Sequence, residues 1–268
     1  KCRMSQPCEL TVSGQIPNPA YLGIPLTANG WSWVGYLPQT TLSVDAALAN
    51  LNPSMGDIIK ARSGFATWDG YKWVGSLTAM APGNGYLYYN SNYSDAILYY
   101  PSTSLTLLAP AKRGASRNLT HQHSITTFSP IDPTIYQGNM TMTAVVKNGE
   151  QIVTDAEVGI FAGEECRAAA VEKDGYWFIT IPGESNVELT IKVAVGGEVK
   201  TVKQSLVYVD DAMIGSPTEP YVIQLDETSD LLEIGEWSNL NVQKVIHDGI
   251  LYIKRNSKIY NAQGQLIK

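Results

Sequence analysis

The sequence predicts a mainly β protein: an N-terminal α+β domain, with an antiparallel sheet and one short helix, then an immunoglobulin-like β-sandwich and a short β tail. Three observations predict it. Short alternating apolar runs recur between residues 138 and 226, separated by Asn-Gly, Asp-Gly and Gly-Gly turn signals. Helical periodicity is convincing once, over 42–53. Charged residues make up only 16% of the chain, so Ser, Thr, Asn, Gln, Tyr and Gly must cover much of the surface. A length of 268 residues suggests about two domains.

Residues 1–102 form the first module, rich in aromatics and glycine. One phrase occurs twice in it, "GWSWVGYL" from Gly30 and "GYKWVGSL" from Gly70. Each copy reads as a strand opened by a glycine turn. Period-2 alternation puts Trp31 and Trp33 on one face, and Tyr71 and Trp73 on one face. Between the copies lies the helix, "LSVDAALANLNP". Ser43 is its N-cap, because a hydroxyl there accepts from an otherwise unpaired N–H of the first turn. Asp45 adds a favourable charge at that end, and Asn52-Pro53 stops the helix. Trp33 and Trp73 are therefore expected to be buried on adjacent strands, against the helix face of Ala47, Leu48 and Leu51. Asp69-Gly70 marks a hairpin ahead of the second copy.

The module ends in "GYLYYN" and "AILYYP", joined by the polar "SNYSD". Tyr86, Tyr88, Tyr89, Tyr93, Tyr99 and Tyr100 cluster here. Alternation sends about half of such a set outward, and clustered exposed tyrosines suit stacking on a ligand such as a sugar. These six are the candidate ligand-binding residues.

Residues 103–137 carry Pro, Ser and Thr without a clean period and read as a linker. His121 and His123 lie in it at i, i+2, with no third ligand nearby to complete a metal site. Residues 138–226 form the predicted sandwich, with Met140, Met142, Ala144 and Val146 on one face of its first strand. Trp177, Ile179 and Ile181 share a face further on, as do Leu189, Ile191, Val193 and Val195. Residues 227–268 begin acidic and then give three short β runs. They are too few to hold a core alone, so a meander is expected there, leaning on the sandwich.

The chemistry-bearing motifs point away from catalysis. No G-x-S-x-G, H-E-x-x-H or phosphate-binding glycine loop occurs in the sequence. We expect no enzyme, no cofactor and no transition metal. Asp155, Glu164, Glu165, Asp210 and Asp211 fall on predicted loops, where solvated charge competes with a hard-cation site. Cys2 and Cys8 are close enough in sequence to pair across a short loop, and Cys166 reads as a buried strand residue. A net charge of −6 and a pI near 5.1 give no cationic footprint for nucleic acid. No apolar run reaches membrane-spanning length. The chain opens on Lys1 without a signal segment and reads as part of a longer precursor.

The stretch from "GWSWVGYLP" through "GDIIKARSGFATWDGYKWVGSL" to "APGNGYLYY" resembles a module found near the C-termini of large Bacteroidetes surface and secreted proteins. "MTMTAVVKNGEQIVTDAEVGIFAGEECRAAA" resembles the β-sandwich module that often follows it, with Ala168 where glycine is usual. The end, "DGILYIKRNSKIYNAQGQLIK", looks like a short form of the C-terminal sorting domain of the type IX secretion system, matching at Tyr260, Asn261, Gly264 and Gln265. The resemblance implies an extracellular or cell-surface location, and the role expected of a non-catalytic chain placed there is display, spacing and adhesion. The tail would meet secretion machinery, while a glycan or host surface is the partner expected from the clustered tyrosines.

Overall fold

A computed structural model describes residues 9, 11, 13–15, 18–102, 125–184 and 186–225, and the backbone of 242–247, 250–255 and 258–261. Cys2, Cys8, His121 and His123 lie outside the described residues. The chain divides into two compact units, Lys1–Asp226 and Glu227–Lys268. The described chain is mainly β, in several sheets whose pairings are mostly antiparallel, with one short α-helix.

In the first module the strands are β1 (Ile24–Leu26), β2 (Gly30–Gly35), β3 (Leu42–Ser43), β4 (Ile58–Lys60), β5 (Phe65–Trp68), β6 (Trp73–Gly75), β7 (Ala79–Met80), β8 (Gly85–Asn90) and β9 (Ala96–Leu98). Five of them form one antiparallel sheet in the order β2-β8-β4-β5-β6, while β1 pairs with β9 and β3 with β7. The two copies of the repeated phrase thus occupy opposite edges of the sheet, not adjacent strands. The helix, α1 (Val44–Ala47), is a single turn, shorter than the pattern suggested. Ser43 caps it as expected, accepting from the Ala46 N–H at 3.2 Å. Leu48 ends it, and Leu51 N–H returns to the Leu48 carbonyl in a further turn. Asp45 does more than complement the helix end. Its carboxylate also accepts the backbone N–H of Trp73 at 3.2 Å, tying helix to sheet.

Ala47, Leu48, Leu51, Tyr88 and Trp73 join one buried cluster, so the expectation for Trp73 is met. Trp33 is a correction. It is 63% exposed, because Ser32 and Val34 are the inward residues of β2. Trp31 shares the outer face and packs with Tyr89, ring centres 5.2 Å apart.

The second module comprises β10 (Gly138–Asn148), β11 (Gln151–Ile152), β12 (Glu157–Ala162), β13 (Glu165–Val171), β14 (Trp177–Gly183), β15 (Glu188–Val195), β16 (Glu198–Val207), β17 (Met213–Ile214) and β18 (Tyr221–Gln224). One sheet carries β13-β12-β15-β16; the other is built on β10, which pairs with β11, β14, β17 and β18. A single core joins them, with Met140, Met142, Trp177 and Ile181 from one sheet and Val158, Ile160, Ile191 and Val193 from the other. The buried Trp177 indole donates to the Ala156 carbonyl at 2.9 Å, so its polar edge is satisfied.

This is a β-sandwich of two sheets packed on one core. Here β10 and β12 lie in opposite sheets, and β10 pairs in parallel with the last strand, β18. Alternation and turns identify strands; which sheet each joins depends on long-range pairing.

Residues 125–128 run along the sandwich and are pinned by Glu157. Its carboxylate accepts the backbone N–H groups of Thr126, Thr127 and Phe128 at 2.9, 2.9 and 2.8 Å. Burial works against the charge of Glu157, yet these donors outweigh it and hold the carboxyl below its usual range. A carboxyl depressed in the folded state stabilises above its unfolded pKa. That contribution is lost as pH falls through the folded value. Glu157→Gln is therefore expected to cost about 1.5–3 kcal/mol at neutral pH. The gap between variant and parent should shrink as the solution is acidified, which urea titrations at several pH values will read. A gap that does not change with pH would contradict this role.

The second unit has a three-stranded antiparallel meander, β19 (Val242–His247), β20 (Ile250–Arg255) and β21 (Lys258–Asn261), paired in sequence order.

Candidate functional site

Three of the six candidate tyrosines belong to the core. Tyr86, Tyr88 and Tyr100 are buried, and each hydroxyl is engaged. Tyr86 accepts from the Ala81 N–H at 2.9 Å, and Tyr100 donates to the Gly35 carbonyl at 3.2 Å. Tyr88 donates to the Asp57 carboxylate at 2.5 Å. Burial, and then the bond to Asp57, push the Tyr88 hydroxyl well above the ordinary tyrosine range. These three are corrected from ligand residues to packing residues. The inward positions of β8 alternate, Tyr86, Tyr88 and Asn90, and tyrosine supplies both ring area and a hydroxyl for a buried acceptor.

Tyr89, Tyr93 and Tyr99 remain on the outside, in different settings. Tyr89 is partly covered beside Trp31 and donates to Asn29 Oδ1 at 2.9 Å. Tyr99 is exposed and lies over Gly23, where a Cβ would come within 2.9 Å of its ring. Tyr93 stands 89% exposed on the turn after β8.

That turn is braced from several sides. Asn29 N–H donates to the Asn92 carbonyl at 2.8 Å, and Asn90 Nδ2 donates to the Ser94 carbonyl at 2.9 Å. The buried carboxylate of Asp57 accepts from Ser91 N–H at 2.8 Å, Ser91 Oγ at 2.7 Å and Ser54 N–H at 3.0 Å. Ser91 Oγ is also 3.1 Å from the Met55 carbonyl. One carboxylate thereby joins the turn before β4 to the turn after β8. The β5–β6 hairpin joins them through Gly56 N–H, which donates to the Trp68 carbonyl at 3.2 Å. Asp69 Oδ1 fixes that hairpin by accepting from Tyr71 N–H and Lys72 N–H, both at 2.8 Å.

The outer side chains of the three turns are Met55, Tyr71 and Tyr93. All are exposed, and Tyr71 reaches 90%. Tyr71 and Met55 were not predicted as surface contacts. The repeated phrase placed Tyr71 on a strand face, whereas it sits in the hairpin turn ahead of β6. The available signal was Asp69-Gly70, which puts the next residue in the turn.

The two modules of this unit are joined by a buried lysine. Lys60 Nζ lies 2.5 Å from Asp211 Oδ1, donates to the Asn139 carbonyl at 3.1 Å, and stands 4.5 Å from the centre of the Trp31 ring. Asn139 returns two bonds to the Ala61 and Arg62 carbonyls. Phe65 meets Phe178 edge-on at 5.8 Å. This explains the Gly-Asp-x-x-Lys part of the first module: Gly56 adopts a positive φ, Asp57 braces turns, and Lys60 clasps the neighbouring module.

Three of the five loop carboxylates serve separate local roles. Asp210 accepts from the buried Tyr208 hydroxyl at 2.7 Å, Asp211 pairs with Lys60, and Glu165 stands 2.6 Å from Arg167 Nε. Among the described residues no group of three His, Cys, Asp or Glu is placed to hold a metal. Cys166 is buried, as predicted, and desolvation first of all raises its thiol pKa. Of the sorting-like motif, Tyr260 and Asn261 fall in β21, and Gly264 and Gln265 lie outside the described residues. No described helix is long and apolar enough to cross a membrane. Compared with protein-family models, curated proteins and solved structures, the chain matches none.

Proposed function

We propose that this chain is the non-catalytic C-terminal part of a bacterial secreted or cell-surface protein, serving display, spacing and adhesion. The observation that carries the reading is Asp57. A buried carboxylate is spent on bracing turns whose outward side chains, Met55, Tyr71 and Tyr93, are left in water. Rigid turns with exposed aromatics lose little entropy on contact, which favours binding. The Lys60 clasp supports the spacing role, since it fixes the first module on the sandwich. The tail, through Tyr260, Asn261, Gly264 and Gln265, serves as an address read by the export machinery.

The exposed tyrosines favour a glycan as the surface contacted, because a sugar's apolar face stacks on an aromatic ring. On a glycan array, and on host-cell surfaces, Tyr71→Ala and Tyr93→Ala should each weaken binding by about tenfold, ~1.4 kcal/mol. Tyr99→Ala serves as a control away from the braced turns. Unchanged binding by both turn variants would remove this surface from the proposal. A separate export assay tests the tail: loss of residues 258–268 should retain the protein inside the cell.

A further inference from the structure

Beyond that reading, the seam between the two modules holds a cavity of about 400 Å³, within the range of small-molecule sites. It opens where two edge strands of opposite sheets part. Asp174 and Gly175 form a positive-φ turn closed by the Lys173–Tyr176 bridge, after which β13 and β14 enter different sheets. Ser63 and Ser76 line the cavity from the first module. Ile131, Pro133 and Phe178 make its apolar wall.

Its charge is one-sided. Arg167 and Lys173 line it, and no lining residue carries a carboxylate, in a chain whose net charge is −6. The Arg167 side chain is only 10% exposed and stacks 3.9 Å from the centre of the Tyr136 ring. Glu165 forms an ion pair with Arg167 at Nε, though without an aligned hydrogen bond, and the buried Thr180 hydroxyl beside the cavity has no partner. Lys173 Nζ donates to the Gly75 carbonyl at 2.6 Å, and no carboxylate is paired with it among the described residues. A lysine without a carboxylate partner, a buried guanidinium lining the same cavity and an apolar wall suit a planar anion on an apolar body.

We propose that this seam binds a small organic carboxylate, with the acid group on Arg167 and Lys173 and the apolar body against Phe178 and the Ile131–Pro133 wall. The apolar wall alone would take a neutral molecule equally well. The two cations make the difference.

The test uses the whole 268-residue chain and ligand-observed NMR, with hexanoate, phenylacetate and indole-3-acetate each compared with its primary amide. At least one acid should bind, and its amide should bind about tenfold more weakly or worse, ~1.4 kcal/mol. Ser63→Phe fills the cavity from its rim and touches none of the bonds described here, so it should abolish binding while the melting temperature is kept. Arg167→Gln and Lys173→Gln should each bring the acid down to the level of the amide. If Arg167→Gln fails to fold, Ser63→Phe and Lys173→Gln still decide. Equal binding of acid and amide would overturn the proposal, as would full affinity in Ser63→Phe. So would the absence of binding by all three acids at millimolar concentration, including when an acidic peptide binds instead.

Discussion

Trp73→Ala is expected to lower the unfolding free energy by about 3–5 kcal/mol, and Trp33→Ala to change it by less than about 0.5 kcal/mol. The two residues hold the same place in the repeated phrase, so the contrast tests position and not residue type. Trp73 is 8% exposed. It meets Trp68 at 5.6 Å and Tyr88 at 6.1 Å between ring centres, in the cluster that includes Ala47, Leu48 and Leu51. Removing the indole leaves a cavity beneath the helix that one helical turn cannot collapse to fill. Trp33 stands mostly in water, opposite Leu87 of β8. Denaturant titration of both variants measures the difference, and acrylamide should quench the Trp33 ring far better than the Trp73 ring. Equal losses of stability would refute it.

This contrast also marks where sequence reading reaches its limit. Period-2 alternation tells which residues share a face; it does not tell which face meets the core. Val34 joins the helix-side cluster, whereas Val74, its counterpart, packs on the opposite side with Phe65 and Phe178. The phrase is therefore set in opposite phase at the two edges of the sheet. At the second edge the outer face is claimed by the sandwich, a long-range contact with no local signature.

Strands with turn chemistry were the legible part. Gly196-Gly197 connects β15 to β16 with both residues at positive φ, and Asn148-Gly149 ends β10. The Ser43 cap was legible because its bond is local. Asp174-Gly175 was read correctly as a turn, yet it does not make a hairpin beyond one bridge, because β13 and β14 are drawn into separate sheets. Of the candidate tyrosines, alternation foresaw that about half would be buried. It could not find Met55 or Tyr71, whose exposure depends on three turns being tied together through Asp57. Lys60 was likewise hidden, since a lysine in a strand normally signals a solvated face.

Asp57→Ala is expected to cost about 3–5 kcal/mol, because four donors lose a charged acceptor and hydrogen bonds to charged groups are worth about 1.5–3 kcal/mol each, with water regaining the exposed ones. The donors are the Tyr88 hydroxyl, the Ser91 hydroxyl, and the Ser91 and Ser54 amides. Tyr88 is the costly one. Its ring is fully buried, so its hydroxyl finds no water when the carboxylate is gone. Tyr88→Phe removes that donor and leaves Asp57 three others, so it should cost less, about 1.5 kcal/mol. In a double-mutant cycle the two losses should not add, since Asp57→Ala,Tyr88→Phe no longer strands a hydroxyl. Hydrogen exchange separates bracing from packing: in Asp57→Ala the Ser54 and Ser91 amides should exchange far faster, while amides in the β10–β14 ladder of the sandwich keep their protection. The same variant should weaken any contact made through Tyr71 and Tyr93 under conditions where it is still folded, because loosened turns must be ordered again on binding. Additive losses, or Ser91 protection equal to that of the parent protein, would show that Asp57 does not hold these turns.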